Sequence, residues 1–149
     1  MIRIFFTAGG FLLIALFAAA QAEPSRPPSR NALIYAELAK APSKAAARRN
    51  PLENDPEAVA AGEKLFGEHC ANCHGEAANG SKRGPSLRVD PVESATPGAL
   101  FWLLTNGVVR KGMPVWSKLP EPQRWQLVSY IKSLGAASGP RAEGQPEVH

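Results

Sequence analysis

The sequence predicts an all-α protein of three main helices joined by long loops, and three observations carry that expectation. Apolar residues recur at helical spacing in three segments between positions 56 and 134, two of them opened by a capping side chain followed by proline. No segment alternates apolar and polar residues as a half-buried strand does. A five-residue run, Cys70-Ala71-Asn72-Cys73-His74, holds both cysteines of the chain beside one of its three histidines.

The first helix is expected over 56–72. Asp55 suits the N-cap, Pro56 the first helical position and Glu57 the positive end of the helix dipole, and Val59, Gly62, Leu65, Phe66 and Cys70 follow at helical spacing. Residues 75–95 read as loop, with Gly75, Gly80, Gly84-Pro85 and Pro91 but no long apolar run. Thr96 caps the second helix, Pro97 starts it, Leu100, Phe101, Leu103 and Leu104 form its apolar part, and Asn106-Gly107 stops it. The third is expected over 121–134, with Trp125, Val128, Ile131 and Leu134 on one face and Gly135 at the C′ position. Upstream, residues 31–41 predict about three helical turns capped by Asn31, with Leu33, Ile34 and Leu38 on one side. Short isolated helices are marginal in water, so this segment reads as a linker or a helix packed on the core rather than a docking element.

At 149 residues and 15.9 kDa the chain builds one modest core, which excludes a multidomain enzyme. Its net charge of +4 is no nucleic-acid signature, and the positive excess lies outside the core, because residues 51–135 are balanced. Residues 1–22 read as a signal peptide. Arg3 supplies the positive start, residues 4–20 are uncharged and mostly apolar, and Ala20-Gln21-Ala22 predicts cleavage after Ala22. The expected division is therefore a signal peptide (1–22), a proline-rich, basic extension or linker (23–54), a folded domain (55–135) and a flexible tail (136–149). The expected location is the periplasm.

Export gives the two cysteines a meaning. A simple Cys70–Cys73 disulfide suits an oxidising compartment, but Cys-x-x-Cys-His is the pattern of covalent haem attachment. The thiols of Cys70 and Cys73 add to the vinyl groups of the porphyrin, and the adjacent His74 becomes the proximal iron ligand. A thioredoxin-like pair needs a βαβ surround, and structural zinc needs four ligands from a chain with two Cys and three His. The sixth iron ligand follows by elimination. Met1 leaves with the signal peptide, so Met113 is the mature chain's one methionine, held in a tight loop between Gly112 and Pro114. His69 reads as a solvated or haem-edge histidine, and Trp102 and Trp116 as core or haem-packing rings.

Cys70 to His74, Gly84-Pro85 and Gly112-Met113-Pro114 together resemble the class I c-type cytochromes over about residues 55–135. The resemblance implies a fold of three main helices wrapped around one covalently bound haem c. It implies that Gly62, Phe66 and Tyr130 sit where the first and last helices cross, the glycine letting the backbones approach while the rings close the gap. It also implies that the Pro85 carbonyl accepts the Nδ1 proton of His74, fixing the tautomer and strengthening donation to iron. More narrowly, the run from Gly112 to Trp116 and the helix carrying Trp125 to Leu134 are similar to single-haem bacterial domains that accept electrons from periplasmic quinoprotein dehydrogenases. The haem domains of some oxidase subunits belong to the same group. The segment 23–54 has no counterpart in the family core.

The expected function is that of a one-electron carrier and not an enzyme. It links a dehydrogenase donor or respiratory complex to a cytochrome or oxidase acceptor, with no small-molecule substrate and no nucleic acid. Lys82, Arg83, Arg110 and Lys111 flank the two haem loops and suit an acidic partner, or are ordinary surface charge. Two alternatives stay open: a ligand-binding or peroxidatic haem protein with a labile Met113, and a membrane-anchored oxidase or dehydrogenase subunit that keeps residues 1–22. The sequence sets no oligomeric state.

Overall fold

A computed structural model describes residues 29–136 of the chain; the signal-peptide reading and the tail beyond Ala136 lie outside the described residues. Seven α-helices follow one another: α1 Arg30–Tyr35, α2 Ser43–Ala46, α3 Pro56–His69, α4 Ala71–His74, α5 Asp90–Glu93, α6 Pro97–Asn106 and α7 Glu121–Ala136. Short 3-10 turns add Leu38–Lys40 and Val109–Lys111. Among the described residues there is no strand, only an isolated antiparallel bridge between Val108 and Met113.

The long helices start where local chemistry directs. Asp55 accepts from the amides of Glu57 and Ala58 at 2.9 and 3.3 Å, and Pro56 stands in the first turn. Thr96 Oγ1 accepts from Ala99 N at 3.2 Å, again with proline next. The most extensive packing in the fold is that of α3 on α7. At the crossing, a Cβ on Gly62 would stand 2.0 Å from Gln126 O, so only glycine allows the two backbones this close. Phe66 and Tyr130 close the gap with ring centroids 5.2 Å apart. Trp125, Phe66, Leu127 and Val128 are fully buried, and Trp125 stacks on Phe101 of α6 at 4.0 Å. The three main helices therefore share one core.

Four local expectations are corrected. The first helix does not run unbroken over 56–72: it ends at His69, Cys70 turns out of it at φ −120°, and α4 begins at Ala71. Gly135 is not a C′ residue, because α7 continues to Ala136. Its missing side chain instead admits Glu93, whose Cγ would stand 2.8 Å from a Cβ there. The 31–41 segment is not one helix capped by Asn31. Ser29 Oγ caps it by accepting from Ala32 N at 3.2 Å, and the chain tightens into i→i+3 bonds after Tyr35. Pro42 then forces Ala41 to an extended ψ of 124°, which ends helical structure there. Finally, the 75–95 loop contains α5, four residues with a proline in the first turn, too short for a periodicity to register.

Residues 29–54 lie against the helical core. The Arg48 guanidinium sits 4.7 Å from the Phe101 ring centre and 5.1 Å from that of Trp125, and pairs with Glu121 at 2.6 Å. Asn50 is buried: its Nδ2 donates to Ser129 Oγ at 2.8 Å and Trp125 O at 3.4 Å, and its Oδ1 accepts from Leu52 N at 2.9 Å. Thr96 Oγ1 donates to Ala46 O at 2.7 Å.

Candidate functional site

The break at Cys70 is where the site begins. The amide of Cys70 still completes the α3 ladder by donating to Phe66 O at 2.8 Å, while its own carbonyl accepts from Cys73 N at 3.0 Å and His74 N at 2.9 Å. One residue thus ends one helix and opens the next. Neither cysteine is in a disulfide. Burial, with the Cys73 thiol nearby, pushes the Cys70 thiol up to about 11. His74 ends α4, and Gly75 leaves the helix at φ 81°.

The loop after α4 folds back onto these residues. His74 Nδ1 lies 2.8 Å from Pro85 O, so the Nδ1 proton is committed to the carbonyl and Nε2 keeps its lone pair. Burial lowers the His74 pKa and the Pro85 bond opposes that shift, leaving a ring that favours the neutral form. Ser81 Oγ donates to Cys73 O at 2.6 Å, and Arg83 Nη1 donates to Asn72 Oδ1 at 2.8 Å. Both contacts fasten the loop to the Cys-x-x-Cys turn.

Across the cavity, Met113 sits on the loop beyond α6. Val108 and Met113 exchange backbone bonds of 2.9 and 3.2 Å, and Trp116 N donates to Leu104 O at 3.0 Å. Gly107 and Gly112 carry φ of 65° and 94°, conformations an L side chain rarely adopts. A Cβ on Gly107 would stand 2.5 Å from Pro114 O. Sequence reasoning took Gly107 only as a helix stop; its larger role is to let the Met113 loop close against the end of α6.

Cys70, His74, Pro85 and Met113 all line one apolar cavity, with Leu87, Val92, Leu100, Leu104, Val108 and Ile131 in its walls. An adjoining space shares those four residues and adds Cys73, His69, Arg83, Lys111 and Trp116. The shared walls make these the inner and outer parts of one cleft. Trp116 packs on His69 with centroids 5.3 Å apart at the outer part. Trp102 is not in either lining, and the fully buried tryptophan is Trp125.

Two features were not legible in advance. Ile34, Tyr35 and Leu38 of the N-terminal segment form part of the cavity wall, and Tyr35 Oη donates to Ser86 O at 2.9 Å. The only sequence signal was an aromatic residue inside a short apolar run upstream of the core. Lys111, grouped with surface charges, donates from Nζ to Leu33 O at 2.6 Å and lies 3.7 Å from Glu37. Lys82 and Arg110 remain exposed.

This donor set fits haem c. Two thiols, an imidazole with its Nδ1 already held and a thioether border one apolar cavity, while no cluster of three or more Cys, His, Asp or Glu side chains exists among the described residues. An all-α chain built around such a cavity belongs to the class of cytochrome c domains. Residues 57–131 match the family described as cytochrome c oxidase, cbb3-type, subunit III, and the chain belongs to that family. The cbb3-type cytochrome c oxidase subunit CcoP of Rubrivivax gelatinosus is 33% identical over 118 residues, 78% of this chain and 37% of that protein. The chain thus spans little more than a third of that relative's length. Among solved structures, cytochrome CL of the marine methylotrophic bacterium Methylophaga aminisulfidivorans aligns with a TM-score of 0.50 and 29% identity, covering 57% of this chain and 60% of that one. The fold is that of a class I cytochrome c, homologous to electron carriers. Domains of this kind are generally extracytoplasmic, and no helix among the described residues is long and apolar enough to cross a membrane.

Proposed function

We propose that the chain is an exported, periplasmic cytochrome carrying a single covalent haem c, and that it passes electrons one at a time between redox proteins. The observation that carries this reading is the convergence of Cys70, His74, Pro85 and Met113 on one apolar cavity. In this reading Cys70 and Cys73 would hold the macrocycle by thioether bonds, and His74 Nε2 and the Met113 sulfur would ligate its iron. The haem, when bound, supplies a one-electron ferrous–ferric couple.

The protein's own residues set the conditions. The Pro85 carbonyl, by holding the Nδ1 proton, fixes the imidazole orientation and raises its basicity toward the metal. Leu87, Leu100, Leu104, Val108 and Ile131 exclude water, which limits solvent reorganisation and favours the less charged, reduced state. With a thioether ligand, the midpoint potential is expected to be positive. In this reading the chain carries electrons and turns over no substrate of its own.

Partners meet it through a small and transient contact, for which Leu33, Val109 and Val115 offer exposed apolar surface. A dehydrogenase donor and a cytochrome or oxidase acceptor fit this role. The family match supports a second reading, a subunit of an oxidase complex in which residues 1–22 persist as an anchor. Mass spectrometry of the protein from the periplasm, produced with a haem-attachment system, tests both. The carrier reading expects a chain beginning at Glu23 with one haem added, and loss of covalent haem in Cys70→Ser and Cys73→Ser. An intact residue 1 in the membrane fraction would favour the anchored subunit, and a chain without haem would contradict both.

A further inference from the structure

We propose that residues 29–41 are a clasp tying the Pro85 loop to the Met113 loop, and that Tyr35 and Lys111 act as positioning residues for the two axial ligands. The inference rests on the axial roles proposed for His74 and Met113. Tyr35 Oη donates to Ser86 O at 2.9 Å, across 51 positions of sequence. Ser86 directly follows Pro85, whose carbonyl holds His74 Nδ1 at 2.8 Å. On the other side, Lys111 closes the 3-10 turn two residues before Met113, and its Nζ donates to Leu33 O at 2.6 Å and faces Glu37 at 3.7 Å. One short segment is therefore bonded to both ligand loops, while its Ile34, Tyr35 and Leu38 complete the apolar wall between them.

The need for such a clasp follows from how lightly the Met113 loop is otherwise held. Its described backbone anchors are the Val108–Met113 pair, the bonds of the 3-10 turn and Trp116 N to Leu104 O. Loops with few buried bonds open locally at low cost, and an external ligand reaches the metal only in the open state, so its apparent affinity scales with the open fraction. A clasp holding both loops lowers that fraction.

The test uses the ferric holoprotein with Tyr35→Phe, Lys111→Leu and the outlying control Arg49→Ala. Hydrogen exchange is followed by mass spectrometry in peptides covering 80–89 and 107–116, and imidazole is titrated as the external ligand. The clasp predicts that each of the two variants speeds exchange in both loops, including the one its own bond does not touch. It also predicts that imidazole binds about five- to ten-fold more tightly, the double variant gains little beyond the stronger single, and Arg49→Ala changes nothing. Exchange that rises only in the loop each residue touches, or in neither, overturns the clasp. If the unsubstituted ferric protein binds imidazole readily and shows no far-red charge-transfer band, the Met113 ligand assignment fails, and the exchange pattern still decides the clasp.

Discussion

Replacing Gly62 with alanine puts a methyl carbon 2.0 Å from Gln126 O, 2.6 Å from Gln126 C and 2.9 Å from Tyr130 Cβ. Two of those atoms are backbone and cannot swing away, so α3 and α7 must part by about 1.4 Å or more to reach ordinary contact. Overpacking of this kind costs about 3 kcal/mol at its upper end. Alanine's better helix propensity returns about 0.5–1 kcal/mol, leaving a net loss of roughly 2–2.5 kcal/mol. For a unit of this size that lowers Tm by about 10–20 °C. Gly67 on the same helix provides the internal control, because a Cβ there meets nothing within 4 Å. Gly67→Ala should raise stability by about 0.5–1 kcal/mol on propensity alone. Thermal unfolding of the two haem-loaded variants, followed by circular dichroism, should move in opposite directions. If Gly62→Ala is as stable as Gly67→Ala, the close crossing is not what positions α3, and the placement of Cys70 at its end loses its explanation.

Gly107→Ala forces an L side chain to φ 65° and ψ −176° and drives its Cβ against Pro114 O. The cost is about 1–3 kcal/mol of strain concentrated in the Met113 loop, read as a raised imidazole affinity of the ferric protein. Unchanged imidazole binding would show that the loop tolerates the displacement. Asn50→Ala removes both arms of a buried amide that join residues 50–52 to α7. Denaturant unfolding should report a loss of about 2 kcal/mol, and a loss within experimental error would mean that the extension docks without it. Glu121→Gln tests the pair with Arg48, whose hydrogen bond holds the Glu121 carboxyl below its ordinary value of 4.5. A depressed folded pKa adds stability above the unfolded value and loses it as pH falls through the folded one. The Tm gap between wild type and variant should thus be present at pH 7 and close in acid, and a gap that persists at low pH would assign it to packing.

Much of the fold is written locally. Asp55, Thr96 and the prolines after them mark helix starts because each satisfies or dispenses with an orphan amide, and their caps form as read. The Gly62–Phe66–Tyr130 crossing also appears where the resemblance puts it. The break at Cys70 was hidden because helical periodicity continues through it. Only the backbone dihedral separates α3 from α4. Gly135 misled for the opposite reason: a residue common at helix ends serves here to admit Glu93. The Cys70-to-His74 run and Met113 stand out through residue type and scarcity; the structure brings Cys70, His74 and Met113 to one cavity and Cys73 to the space adjoining it. The parts contributed by residues 29–54 did not stand out. The Tyr35–Ser86, Lys111–Leu33 and Asn50–Ser129 bonds join positions 51 to 79 apart in sequence, and no local pattern encodes such pairings.

The optical spectrum of the matured ferric protein reads out the proposed pairing of His74 and Met113 on the iron of a covalent haem. Thioether ligation predicts a low-spin spectrum with a weak far-red sulfur-to-iron charge-transfer band that disappears in Met113→Ala, while the covalent haem stays attached. A covalently loaded, high-spin ferric protein without that band, and indifferent to Met113→Ala, would contradict the claim and point to an open, ligand-binding iron.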